Sequence, residues 1–294
     1  MDWIEFPSLS RGTLRDIRVT IDSGFREFTR AYGEFLERAT DPLEDFLILL
    51  EHLLIESPWP MVLAVLVGIV FLMSRDVKIT AGSLVALLLI GVFGMWEDTM
   101  RTIAMVTVCT TLAILLGIPI GILMARSDRF QGIVNPVLDL MQTMPAFVYL
   151  IPVVMIFGLG KVPGLIAIVI YAIPPMIRLT NLGIRLVDLD VLEAADAFGS
   201  SARQKLLNVQ LPLALPTIMA GINQTIMMAL AMVVVAALIG VKGLGQPVLN
   251  AIANQYFTMG VMNGLAIVAI AIIFDRATQA YGKRLQKHSE VIHG

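Results

Sequence analysis

Residues 178–216 read RLTNLGIRLVDLDVLEAADAFGSSARQKLLNVQLPLALP, a polar stretch set between two apolar ones. Asp188 or Asp190 is placed to cap a short helix running through Ala197. Gly199 can end that helix, because glycine enters the left-handed conformation without a Cβ clash. Ser200 or Ser201 can cap a second helix, which Pro212 is expected to limit. The spacing predicts a helix–glycine–helix hairpin. Ala194, Ala195 and Ala197 give it a small-residue surface that another backbone can approach closely, and Glu193 and Asp196 offer charge to a partner's basic groups. On composition alone it is either an ordinary amphipathic loop at a membrane surface or a docking site for a cytoplasmic protein.

The sequence on either side places the hairpin in a membrane protein. Of 294 residues, 57% are hydrophobic and only 15% charged, with a mean hydropathy of +0.82. Soluble domains average roughly 45–50% apolar and about 25% charged, so a soluble enzyme core is excluded, and so is a disordered chain. Barrel strands would show short alternating segments. Here the charge-free runs are long: 57–74, 79–96, 102–125, 140–160, 162–177, 206–241 and 243–274. A helix needs about 20 apolar residues to cross a bilayer. The expectation is an all-α polytopic protein with about seven transmembrane helices, near 58–74, 79–96, 101–125, 133–158, 163–182, 214–240 and 259–280. Pro174-Pro175 interrupts the fifth.

Lysine and arginine orient these spans. With the N-terminus outside, 12 of them (Arg75, Arg126, Arg185 and Arg284 among them) fall on the inner side, against Arg101, Lys161 and Lys242 in outer loops. Six more arginines lie in the N-terminal tail. The asymmetry predicts an outside N-terminus and a cytoplasmic C-terminus, with Trp59 and Trp96 at the outer interface. Met1–Glu5 lacks a basic start and an apolar core, so the first span is expected to direct insertion.

Residues 1–57 read as a separate extracytoplasmic helical region. Leu14, Ile17, Ile21, Phe25, Phe28, Tyr32 and Phe35 form one apolar helical face. Pro42 is expected to begin a second helix, capped by Asp41, with the apolar pattern Leu43, Phe46, Leu47, Leu50, Leu53 and Leu54 and with Glu44, Asp45 and Glu51 on its polar face. It either covers the bundle or offers a platform to an external partner.

No P-loop occurs, so the chain is not expected to bind ATP itself. Gly158-Leu-Gly160 and Gly243-Leu-Gly245 lack the third glycine of a dinucleotide fingerprint. His52, His288 and His293 are too scattered for a metal cluster. Cys109 reads as a small packing residue. A net charge of −2 gives no case for nucleic acid. Asp139 stands as the one ionisable residue near a span interior, read as a packing carboxylate, which leaves ion-coupled transport without support.

Glu193-Ala194-Ala195, then Gly199, then Val209-Gln210-Leu211-Pro212, resembles the EAA loop of ABC importer permeases, which in that family forms the coupling helix seated in a groove of the ATPase subunit. Residues 141–152 (MQTMPAFVYLIP), 171–180 (YAIPPMIRLT) and the stretch 216–249 resemble the glycine betaine/proline betaine/choline permeases; the likeness spans roughly 60–285. Val241 and Lys242 stand where small residues are expected.

That resemblance implies a type I importer core over 97–282, with coupling loop 183–213, two peripheral helices at 58–96 and a cytoplasmic tail at 283–294. It implies a homodimer in the bacterial inner membrane, two ATP-binding subunits that hold ATP and magnesium, and an extracytoplasmic substrate-binding protein. No catalytic residue and no cofactor are assigned to this chain. Coupling falls to Asp190, Glu193, Ala194, Ala195, Asp196, Gly199 and Pro212. Thr143, Tyr149, Tyr171, Asn223 and Gln224 are candidate pathway walls or helix–helix hydrogen-bonding groups. The other readings are an importer permease for another small solute, amino acid-like, or an ion-coupled secondary transporter.

Overall fold

The computed structural model describes residues 9–293, with side chains described through residue 285. Met1–Glu5 and the side chains of Lys287, His288 and His293 lie outside the described residues. Every regular element described is helical: α1 (Arg11–Ile55), α2 (Trp59–Ser74), α3 (Val77–Val92), α4 (Trp96–Arg126), α5 (Asp128–Thr143), α6 (Ala146–Phe157), α7 (Lys161–Arg185), α8 (Leu189–Ala197), α9 (Ala202–Lys205), α10 (Leu211–Ala236), α11 (Gly245–Asn254) and α12 (Phe257–His293). A π-helical turn (Leu206–Gln210) joins α9 to α10, and a 3₁₀ turn (Ala237–Ile239) follows α10.

Among the described residues, four helices are long and apolar enough to cross a membrane: α4, α7, the continuous run Ala202–Ile239 and α12. The α1–α2 and α5–α6 pairs become two more when each bent pair counts as one span, and Val77–Val92 is a shorter apolar helix. At 16 residues each, α2 and α3 reach only about 24 Å at 1.5 Å per residue.

Four prolines act differently from the sequence expectation. Pro42 does not start a second helix: α1 runs unbroken for 45 residues, and Asp41 is no cap. The carbonyl that Pro42 leaves without its amide donor is that of Arg38, four residues back, which is exposed. Pro145 does break the expected span 133–158. Met144 is held extended at ψ 135°, as a residue before proline prefers, and α5 meets α6 at a 100° bend. Pro174 and Pro175 sit buried inside an uninterrupted α7. Helix α11 was not anticipated by the sequence.

The centre is the α4–α7–α10 packing. Gly117 and Gly121 of α4 form a G-x-x-x-G face against α7. A Cβ at Gly117 would lie 2.7 Å from Met176 Cγ, and one at Gly121 would lie 2.6 Å from Thr180 Cβ. The C-terminal part of α1 joins this core through fully buried Leu47. Its N-terminal part does not cover the bundle: Leu14, Ile17, Ile21, Phe28 and Tyr32 are exposed.

Charges sort to the two ends. At one end Glu51 of α1 pairs with Lys161, and the Gly160 amide donates to the Ile239 carbonyl at 3.0 Å. At the other, Arg185 bonds the Met124 carbonyl and Asp128 at 2.8 and 2.6 Å, and Arg284 reaches the Leu72 carbonyl at 2.9 Å. The arginines and lysines assigned to opposite sides from sequence therefore separate in space. Trp59 and Trp96 line one cavity of about 380 Å³.

Candidate functional site

The hairpin forms from local capping. Asp188 accepts from the Asp190 amide at 3.0 Å and starts α8. Gly199, at φ +77°, ends it. The Gly199 amide donates to the Asp196 carbonyl and the Ser200 amide to the Ala195 carbonyl, at 2.9 and 3.0 Å, which satisfies two carbonyls otherwise left open at the helix end. Ser201, rather than Ser200, caps α9. Its hydroxyl accepts from the Gln204 amide at 3.3 Å while the Gln204 side chain accepts from the Ser201 amide at 2.9 Å, a reciprocal capping box.

Pro212 does not limit the second arm. The helix continues from Ala202 to Ile239. At the π turn the Leu211 amide bonds the Leu206 carbonyl, so the helix is one residue wider just ahead of Pro212. That width accommodates a ring that would otherwise press on the carbonyl four residues back. The hairpin's second arm and the α10 span are thus one helix of 38 residues.

Helix α8 buries no residue. Asp190, Glu193 and Ala194 are exposed and Ala195 half-buried. Asp196 is bonded inward: both its oxygens accept from Lys205, at 2.6 and 2.7 Å. Beside them stand apolar side chains with no cover among the described residues. Phe198 is 91% exposed, and Leu186, Leu189 and Val191 are exposed too. Sequence reasoning passed over Phe198 and Lys205. Phe198, an aromatic directly before a helix-ending glycine, was the available signal.

The five pathway residues do not form one site. Tyr149 and Tyr171 meet edge to face with centroids 6.4 Å apart, and the buried Tyr149 hydroxyl has no hydrogen-bond partner among the described residues. Asn223 and Gln224 line a separate cavity of about 500 Å³ with Thr278 and Gln279. Thr143 is exposed and donates to its own helix at Leu140, at 3.3 Å.

Asn223 is engaged in helix–helix bonding. Its amide donates to Asp275 of α12 at 2.7 Å, and its carbonyl oxygen accepts from Thr278 at 2.8 Å. Gln279 donates to the same Asp275 oxygen at 2.6 Å. Asp139 is therefore not the lone carboxylate of the bundle: Asp275 lies within the expected seventh span and accepts hydrogen bonds from the Asn223 and Gln279 amides. Asp139 itself accepts from Arg178 at 2.5 Å, as a packing carboxylate would.

A family model described as "Binding-protein-dependent transport system inner membrane component" matches residues 117–287, which contain the hairpin and leave α1 to α3 outside. The chain is 48% identical over 242 residues to the glycine betaine/proline betaine transport system permease protein ProW of Escherichia coli (strain K12), covering 82% of this chain and 68% of that protein. It is 48% identical over 229 residues to the glycine betaine/carnitine transport permease protein GbuB of Listeria monocytogenes serotype 1/2a, covering 77% and 81%. In fold it is similar to a chain of the inward-facing MetNI methionine ABC transporter, with a TM-score of 0.58 at 18% identity, over 63% of this chain and 92% of the other.

Proposed function

Because this chain belongs to the binding-protein-dependent transport system inner membrane components, we propose that it is the permease subunit of an ATP-driven importer for glycine betaine, proline betaine, choline or a related quaternary ammonium compound. It works as a homodimer with two ATPase subunits, which hold ATP and magnesium, and with an external substrate-binding protein. The N-terminus faces outside and the hairpin faces the cytoplasm. The chain supplies no catalytic residue.

What carries this reading is the continuity of the hairpin with α10. An ATPase subunit gripping α8 and the Gly199 turn moves a rigid arm whose other end is Ile239, at the far side of the bundle. The exposed apolar set of Leu189, Val191 and Phe198 fits a protein groove. A cation that is permanently charged but weakly hydrated is selected by aromatic faces in the binding protein. The conduit then needs only a wall without strong fixed charge, and Tyr149 and Tyr171 suit that role.

The test is uptake into proteoliposomes holding this chain and its ATPase subunit. Radiolabelled glycine betaine enters only with ATP on the ATPase side and binding protein on the opposite side. Uptake by this chain alone, driven by an ion gradient, overturns the reading.

A further inference from the structure

Where α3 meets α12 there is an open groove of about 260 Å³. Lys78, Gly82 and Ala86 line it from α3, and Ala269, Ile273 and Arg276 line it from α12. The two walls run antiparallel. Arg284, further along α12, reaches the Leu72 and Met73 carbonyls at 2.9 and 3.2 Å, so the C-terminal part of α12 lies beside the turn that starts α3. Lys78 and Arg276 therefore stand at one end of the groove, on the side of the bundle that carries the hairpin. From Lys78 to Ala86 the groove extends about 12 Å, at 1.5 Å per residue.

Beyond that end the groove is apolar and uncrowded. A Cβ at Gly82 would meet nothing within 4 Å, and the Ser83 hydroxyl donates to the Ile79 carbonyl of its own helix at 2.9 Å. The charge at the end is not balanced from within. Among the described residues no carboxylate lines the groove. Asp76 caps α3, accepting from the Lys78 amide at 2.7 Å. Asp275, beside Arg276 in sequence, accepts from Asn223 and Gln279. Lys78 and Arg276 are exposed, as is Arg75 in the turn between α2 and α3. Among the described residues neither the Lys78 ammonium nor the Arg276 guanidinium is paired with an acid.

We propose that this groove binds one phospholipid with a net negative headgroup. Lys78 and Arg276 hold its phosphate, and an acyl chain lies along Gly82, Ala86 and Ala269. Helix α3 is apolar, and α12 is long and apolar enough to cross a membrane, so bilayer lipid is the medium that faces the groove. A basic pocket between membrane helices matches an anionic headgroup. Two cations at one end of an apolar groove also set the lipid's direction, with charge at headgroup depth and hydrocarbon beyond it. The seated lipid bridges α3 to α12 where the two helices leave a gap. The site is separate from the transported solute, so it does not rest on the importer reading.

The test uses the full chain, purified in detergent and stripped of lipid. It is titrated with phosphatidylglycerol or phosphatidylcholine of identical acyl chains, and native mass spectrometry counts the lipids retained. Wild type retains one phosphatidylglycerol at a concentration on the order of tenfold below that needed for phosphatidylcholine. The Lys78→Gln/Arg276→Gln double variant loses that difference. Gly82→Leu fills the groove and weakens retention of both lipids. Arg129→Gln removes a cation of the same end that does not line the groove, and it matches wild type. All four positions are exposed, so the variants fold. Equal retention of the two lipids by wild type overturns the proposal. So does a preference that survives in the double variant, or one that falls as far in Arg129→Gln, since either result means diffuse attraction to a basic rim.

Discussion

The Lys205 ammonium reaches both oxygens of the Asp196 carboxylate, at 2.6 and 2.7 Å, across the Gly199 turn. This ion pair ties α8 to the helix that becomes α10. Since no residue of α8 is fully buried, the caps and this pair help to set its angle. Asp196, which the sequence offered to a partner, is engaged here. Glu193 and Asp190 keep their exposure.

Lys205→Ala is expected to loosen the hairpin without unfolding the bundle. An exposed pair contributes about 0.2–1 kcal/mol, so the melting temperature should hardly move. The ratio of ATP hydrolysed to solute taken up should rise several-fold. An unchanged ratio would remove the pair from the coupling path.

Gly199→Val forces a β-branched residue into a left-handed conformation, at about 1–2 kcal/mol or more, although no neighbour obstructs the side chain. Membrane insertion should persist while uptake uncouples from ATP hydrolysis. Gly199→Asn should retain most coupling, since asparagine tolerates that conformation. Normal uptake by the valine variant would refute the turn's role.

Phe198→Ala removes an aromatic that is 91% exposed and therefore should leave stability untouched. Buried aromatic anchors at interfaces are worth about 2 kcal/mol or more. Co-purification with the ATPase subunit should weaken by at least tenfold. Full retention of the complex would show that the hairpin docks by another surface.

Gly121→Ala places a Cβ 2.6 Å from Thr180 Cβ and 2.8 Å from the Ile177 carbonyl, so α4 must move off α7. Overpacking of this kind costs about 1–3 kcal/mol. Thermal unfolding in detergent should fall by several degrees. Gly132→Ala, with open space around its Cβ, serves as the control and should stay near wild type.

Asn223→Leu breaks the bonds to Asp275 and Thr278 and leaves a half-buried carboxylate short of a donor. The expected result is lower thermal stability with an unchanged preference among betaine, choline and carnitine. A changed preference at unchanged stability would return Asn223 to the pathway.

Much of the hairpin was legible because its determinants are local. A cap, a glycine and a second cap act over a few residues, and their side chains bond their own backbone. Asp188, Gly199 and Ser201 were readable for that reason. Pro212 misled, because its effect depended on a widened turn one step upstream. Pro42 misled in the same manner: whether a proline ends a helix depends on where the freed carbonyl points. Asp275 was missed because its partner Asn223 lies 52 positions away.

The sequence by itself determined the membrane class, the sorting of charge to two sides and the helix–glycine–helix motif. Composition, hydropathy and capping are properties of neighbouring residues, and the bilayer enforces them on any fold. Only the tertiary structure decided which polar groups are already satisfied. It assigned Asp196 to Lys205, Asn223 to Asp275 and Glu51 to Lys161, and it left Phe198 uncovered among the described residues. A hydrogen bond between distant segments depends on where packing brings two helices together, and no pattern local to the bonded residues fixes that.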